Sequence, residues 1–145
     1  MYAIKLIMPA VEMNKPNKVV VACRDGRRLK GYVSNFSAVR DSFRLFPSET
    51  SPHESGTDVE VKALKAIFFV KDFEGNREHH DTYDVKAPGH GRKIEVTFPD
   101  GEKIAGTTEA YNPQKLGFFL FPSDPESNNT RVFVVNSDVQ QVRFL

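Results

Sequence analysis

Displaced by 75 residues, the chain matches itself: residues 18–48 fall on 93–123 without a gap, and 10 of the 31 positions are identical. The identities include Asp25/Asp100, Gly26/Gly101 and Gly31/Gly106, then Phe43/Phe118 and the run from Leu45/Leu120 to Ser48/Ser123. The same offset pairs Val59 with Val134, Ile67 with Val142 and Phe69 with Phe144. Loops have therefore kept their lengths, which marks a duplication of one structural unit.

Within each copy the apolar period is two. Val19, Val21 and Cys23 match Ile94, Val96 and Phe98, the pattern of a half-buried strand. Asp25-Gly26 and Asp100-Gly101 follow at once, and Asp-Gly between alternating runs predicts a tight two-residue hairpin turn. Gly31 and Gly106 fall inside the returning strands, where a missing side chain allows a sharp bend. Further strands are expected at 43–46, 58–62 and 66–70 and, in the second copy, at 118–121, 131–135 and 141–145, with Pro47 and Pro122 stopping the third strand. Each copy then has five short strands.

Five strands, an Asp-Gly hairpin and a bent second strand resemble the small SH3-like barrels, and Val19-x-Val21-x-x-x-Asp25-Gly26-x-x-Leu29-x-Gly31 resembles the first signature of the Sm-like fold. Residues 64–70 and 117–122 also resemble an uncharacterised bacterial family of this architecture. The resemblance implies an all-β protein of two tandem five-stranded SH3-like (Sm-like) barrels. The expected organisation is an N-terminal extension at 1–16, a first barrel at 17–70, a linker at 71–91 and a second barrel at 92–145. RNA binding is not implied. The positions where Sm-like proteins hold a base read Ser37 and Asp41, then Asn112 and Leu116, and the second signature reads Lys65-Ala66 and Gln140-Gln141.

No window approaches the roughly 18 unbroken apolar residues of a spanning helix. Residues 2–8 are short and carry Lys5, which argues against a signal peptide. Cys23 is the single cysteine, so no internal disulfide forms, and a cytoplasmic location without membrane contact is expected. The sequence has no nucleophile elbow, no His-Glu-x-x-His and no phosphate-cradling glycine loop, so neither enzyme activity nor a cofactor is expected. His79-His80-Asp81 offers metal-ligand types, but neighbours in extended chain point to opposite sides, so this polar stretch reads as a solvated connector. No metal site is assigned to it.

Charge separates the copies. Residues 15–48 carry eight basic groups against two acidic ones, whereas 90–123 carry four of each. Arg24, Arg27, Arg28, Arg40 and Arg44 are candidate contacts for an anion or nucleic acid. Arg24-x-x-x-Arg28 and Asn35-x-Ser37 resemble fragments of the PilZ pattern for cyclic dinucleotides, although their order departs from that family's and Arg40 stands where its glycine is expected. By alternation Phe46, Phe68, Phe119 and Phe121 face away from the barrel interiors and need a cover. The barrels are expected to pack on each other through these rings about a pseudo-twofold axis, with a docking face for another protein or a second copy as the alternative. The leading functional reading is a non-enzymatic protein interaction or adaptor module. The second is a nucleic-acid or nucleotide binder using the basic first copy.

Overall fold

A computed structural model describes residues 15–75, 78–82 and 91–145. The expected N-terminal extension through residue 14 and most of the second half of the expected linker, residues 83–90, lie outside the described residues. Five strands form the first copy: β1 (Asn17–Cys23), β2 (Arg28–Val33), β3 (Ser42–Leu45), β4 (Thr57–Glu60) and β5 (Leu64–Val70). Their counterparts are β6 (Arg92–Thr97), β7 (Lys103–Thr108), β8 (Gly117–Pro122), β9 (Asn129–Val135) and β10 (Gln141–Phe144). Among the described residues no helix is long and apolar enough to cross a membrane.

The repeat extends to the hydrogen-bond register. Val19 stands opposite Gly31 as Ile94 stands opposite Gly106, and Phe43 opposite Val59 as Phe118 opposite Val134. Val21 opposite Ile67 likewise becomes Val96 opposite Val142. All pairings are antiparallel, so each half has the strand order β5-β1-β2-β3-β4 or its counterpart, with a single bridge, Tyr32 to Phe46, carrying the first half from β2 to β3.

The hairpins differ in one detail from the expected two-residue turn. The Gly26 amide donates to the Cys23 carbonyl and the Cys23 amide to the Arg27 carbonyl, with Gly26 at φ 96°. This is a three-residue loop whose last residue is left-handed. Phe98, Gly101 and Glu102 repeat it, with Gly101 at φ 94°. In both loops the aspartate also caps the amide two residues on, Asp25 to Arg27 and Asp100 to Glu102. The prolines also behave differently: Pro47 follows β3, but Pro122 is the last residue of β8 and stands opposite Gly106.

The halves do not face each other as closed barrels. They join edge to edge, β5 against β9, giving an eight-stranded sheet in the order β10-β6-β7-β8-β9-β5-β1-β2 and a separate β3-β4 pair. Among the described residues β4 and β5 are not paired, nor are β9 and β10, so no barrel closes. The expected pseudo-twofold axis is corrected by the same pairing. A twofold joint would match the β5–β9 pairing with β10 against β4, a pairing not present among the described residues, so the joint is head-to-tail.

This joint explains the aromatic excess. Ile67 and Phe69 enter one buried cluster with Val19, Val21 and Val33, while Ala66 and Phe68 enter a second with Ile94, Val96 and Phe98. β9 divides likewise, Phe133 and Val135 into the first cluster and Val132 and Val134 into the second. Strands buried on both faces have no polar side, so each reads as a nearly continuous apolar run. Phe68, expected to face outward, is therefore buried.

Candidate functional site

The five arginines of the basic first copy separate into two groups. Arg24, Arg27 and Arg28 sit at the β1–β2 hairpin and meet carboxylates. Arg27 Nε is 2.8 Å from Asp25 Oδ2, Arg24 Nε is 3.2 Å from Asp138 Oδ1, and Arg28 lies 3.8 Å from Glu102 with its guanidinium over the Phe68 ring. Asp138 and Glu102 belong to the second copy, so two of these arginines bridge the halves. Sequence reasoning counted the charges of each copy by itself and missed that the copies share them.

Lys65, at the second residue of β5, is the centre of that bridge. It is 5 % exposed, its Nζ is 2.6 Å from Asp100 Oδ2, it also contacts Glu102, and it sits 4.7 Å from the Phe98 ring centre. Burial works against the ammonium, but the hydrogen bonds to Asp100 and Glu102 outweigh it and hold the pKa above the ordinary lysine value. Asp100, receiving Lys65 and the Glu102 amide, is held below the ordinary carboxylate range.

The linked stabilities have opposite signs. The raised Lys65 pKa stabilises the fold below the unfolded lysine value, about 10.4, and that contribution is lost as pH rises through the folded value. The lowered Asp100 pKa stabilises above about 3.9, and that contribution is lost as pH falls through the folded value. Lys65→Ala is expected to cost about 2 kcal/mol near neutrality, because its carboxylate partners keep access to water and escape the full penalty of buried charge. Lys65→Met, which keeps the apolar stem, costs less and flattens both flanks of a plot of urea midpoint against pH. A Lys65→Met profile that still parallels wild type rules out this coupling.

Arg40 and Arg44 lie elsewhere, on a groove of about 860 Å³ formed by β2, β3 and the loops after them, which Tyr32, Asn35, Phe46 and Asp58 also line. Arg44 Nη2 donates to the Gly56 carbonyl at 2.8 Å. Its Nε is buried without a hydrogen-bond partner and lies 3.8 Å from Asp58 Oδ1. Asn35 takes φ 55°, a conformation asparagine tolerates better than most residues. Asp41, Glu49 and Asp58 share this groove with the two arginines, so its charge is mixed rather than basic.

The four apolar candidates do not form one face. Phe68 is 6 % exposed inside the second cluster. Phe119 packs edge-on to Phe36 and Phe133 and is covered by the Arg131 guanidinium 4.5 Å away. Phe46 lines the groove, and Phe121 is 42 % exposed.

The edges of the sheet carry the clearest difference between the copies. β9 is paired on both sides, by β8 and β5, whereas its counterpart β4 pairs only with β3 among the described residues. Where β8 and β9 present Phe119 and Phe133, β3 and β4 present Arg44 and Asp58. Glu49, Glu54, Asp58 and Glu60 are all exposed around this edge.

The described residues of the connector are mostly exposed, as expected, but several are tied down by hydrogen bonds to the second copy. The Lys71 amide donates to the Asn128 carbonyl, the Asp72 amide to Asn128 Oδ1, and the Thr82 amide to Asp124 Oδ2. Amides of Thr82 and Glu126, followed by the His79 ring, hold the Asp124 carboxyl below its ordinary range. His79, Asp81 and Asp124 thereby come together, a grouping hidden from sequence because Asp124 lies in the loop between β8 and β9.

An open, all-β repeat protein in which, among the described residues, one strand is paired on both sides and its counterpart on one side is the class these features define. The chain belongs to a family of unknown function, DUF6982, which it matches over residues 14–145. No curated protein and no solved structure matches it.

Proposed function

We propose that this protein is a non-enzymatic interaction module that takes an extended, basic segment of another protein as an added strand along β4. The observation that carries this reading is the unequal fate of two equivalent edges: β9 accepts β5, while β4 has the same backbone ladder and, among the described residues, one partner strand. Unpaired strand edges are templates for pairing with another chain, and added strands gain affinity from main-chain bonds and specificity from alternate side chains. The exposed acids around the edge favour a basic segment. Asp58 and Arg44, standing where the internal joint has phenylalanines, favour a polar strand over a second copy's apolar edge.

On this reading each half, 17–70 and 92–145, is an open SH3-like unit of the Sm-like kind, a view supported by the strand order shared between them. The lone buried Cys23 fits a reducing, cytoplasmic setting. The nucleic-acid reading is weaker, because Arg24, Arg27 and Arg28 already meet carboxylates and Arg40 and Arg44 share their groove with three acids.

Capture from native extract, with and without nuclease, compares wild type with the double variant Asp58→Lys and Glu60→Lys. A nuclease-resistant partner that loses at least about tenfold affinity in the variant, and protects the β4 amides in the complex, is the expected result. A bound species removed by nuclease favours the nucleic-acid reading. Concentration-dependent dimers by light scattering, disrupted by the same variant, make the occupant a second copy.

A further inference from the structure

We propose that His79, Asp81 and Asp124 form a binding site for a divalent transition-metal ion of the zinc type, one that fastens the connector to the loop between β8 and β9. His79 Nε2 lies 2.9 Å from Asp124 Oδ2 and 3.4 Å from Asp81 Oδ1, and one ligand atom from each residue falls within 4.8 Å of the others. Zinc takes nitrogen and oxygen donors at about 2.0–2.2 Å, which at tetrahedral angles places them about 3.4 Å apart. The three side chains thus stand near the spacing that a single ion requires.

The carboxylates are also oriented from outside. Ser127 Oγ donates to Asp81 Oδ2 at 2.7 Å, leaving Oδ1 on the His79 side. The Glu126 amide donates to Asp124 Oδ1 at 2.8 Å and the Thr82 amide to Oδ2 at 3.0 Å, which holds the carboxylate with Oδ2 toward the imidazole. Partners of this kind fix ligand direction in metal sites and set affinity together with the ligands themselves.

One side of the cluster opens on a cleft of about 580 Å³ that His80, Asn128 and Asn129 line, giving space for water or a further donor to complete the coordination. One imidazole and two carboxylates, with no thiolate, suit Zn²⁺, Co²⁺ or Mn²⁺ rather than a soft ion, and the imidazole disfavours Mg²⁺ and Ca²⁺. The ion joins the connector, through His79 and Asp81, to the second copy through Asp124. Its binding to the folded chain therefore raises thermal stability by mass action.

The test uses the full chain after chelator treatment. Co²⁺ is titrated as an optical probe, Zn²⁺ is used to displace it, and melting is followed with each metal. The expected result is a cobalt d–d band that saturates at one equivalent, vanishes on adding Zn²⁺, and accompanies a rise in melting temperature. His79→Gln, at a partly exposed position that tolerates the change, is expected to weaken binding at least about hundredfold, and Ser127→Ala about tenfold. Absence of a band or a melting shift at millimolar metal overturns the proposal and leaves a hydrogen-bonded clamp only. Wild-type affinity in His79→Gln, or Mg²⁺ bound as tightly as Zn²⁺, overturns it as well.

Discussion

Phe133→Ala is expected to lower the free energy of unfolding by about 4 kcal/mol, the upper range for a large aromatic removed from a core. The ring is fully buried, and although β9 belongs to the second copy, it packs in the first copy's cluster with Val19, Val21 and Phe69. It meets Phe36 at 5.0 Å and Phe119 at 5.1 Å, and its backbone stands opposite Ile67 across the joint. Neither half can refill that space alone, because the cavity walls come from both. Equilibrium urea unfolding measures the loss. Tyr32 and Tyr111, one on each copy, serve as probes once each is left as the single reporter, and their transitions should shift together. A loss below about 1 kcal/mol, or a shift confined to one probe, contradicts the shared core.

Gly106→Val is the second substitution with a large expected cost, about 3 kcal/mol or more. A Cβ at Gly106 sits 2.1 Å from the Phe121 carbonyl oxygen and 2.8 Å from its carbon. These are backbone atoms of the neighbouring strand, so the clash is relieved only by separating β7 from β8, which share just Gly106 opposite Pro122 and Thr107 opposite Phe121. Gly101→Ala provides the contrast. Gly101 has nothing within 4 Å of its added carbon, but its φ of 94° strains any side chain, costing about 1–2 kcal/mol. Urea midpoints for the two variants separate crowding from backbone strain. Equal midpoints contradict the close approach.

Much of the local structure was legible in the sequence. The offset of 75 locates each strand of one half from the other, and Gly26 and Gly101 are at positive φ as their hairpins require. Gly31 and Gly106 are glycine for a different reason from the expected bend. Both leave room for a passing carbonyl, that of Phe46 or Phe121, and neither is left-handed. The joint was illegible because alternation assigns one buried face to each strand. Phe68 and Phe69 point to opposite faces of β5, and both faces are cores. Register between distant segments leaves no such trace, and neither does the meeting of Asp124 with His79 or of Lys65 with Asp100. The charge excess of the first copy was visible, whereas its neutralisation by Asp138 and Glu102 depends on the joint.

Residue-resolved amide hydrogen exchange on the full chain tests the unequal edges most directly. The account predicts that β5 and β9 amides across the joint exchange only with global unfolding, while alternate amides of β4 exchange orders of magnitude faster. Protection of every β4 amide at the level of β9, or exchange of the β5–β9 amides as fast as that of β4, contradicts it.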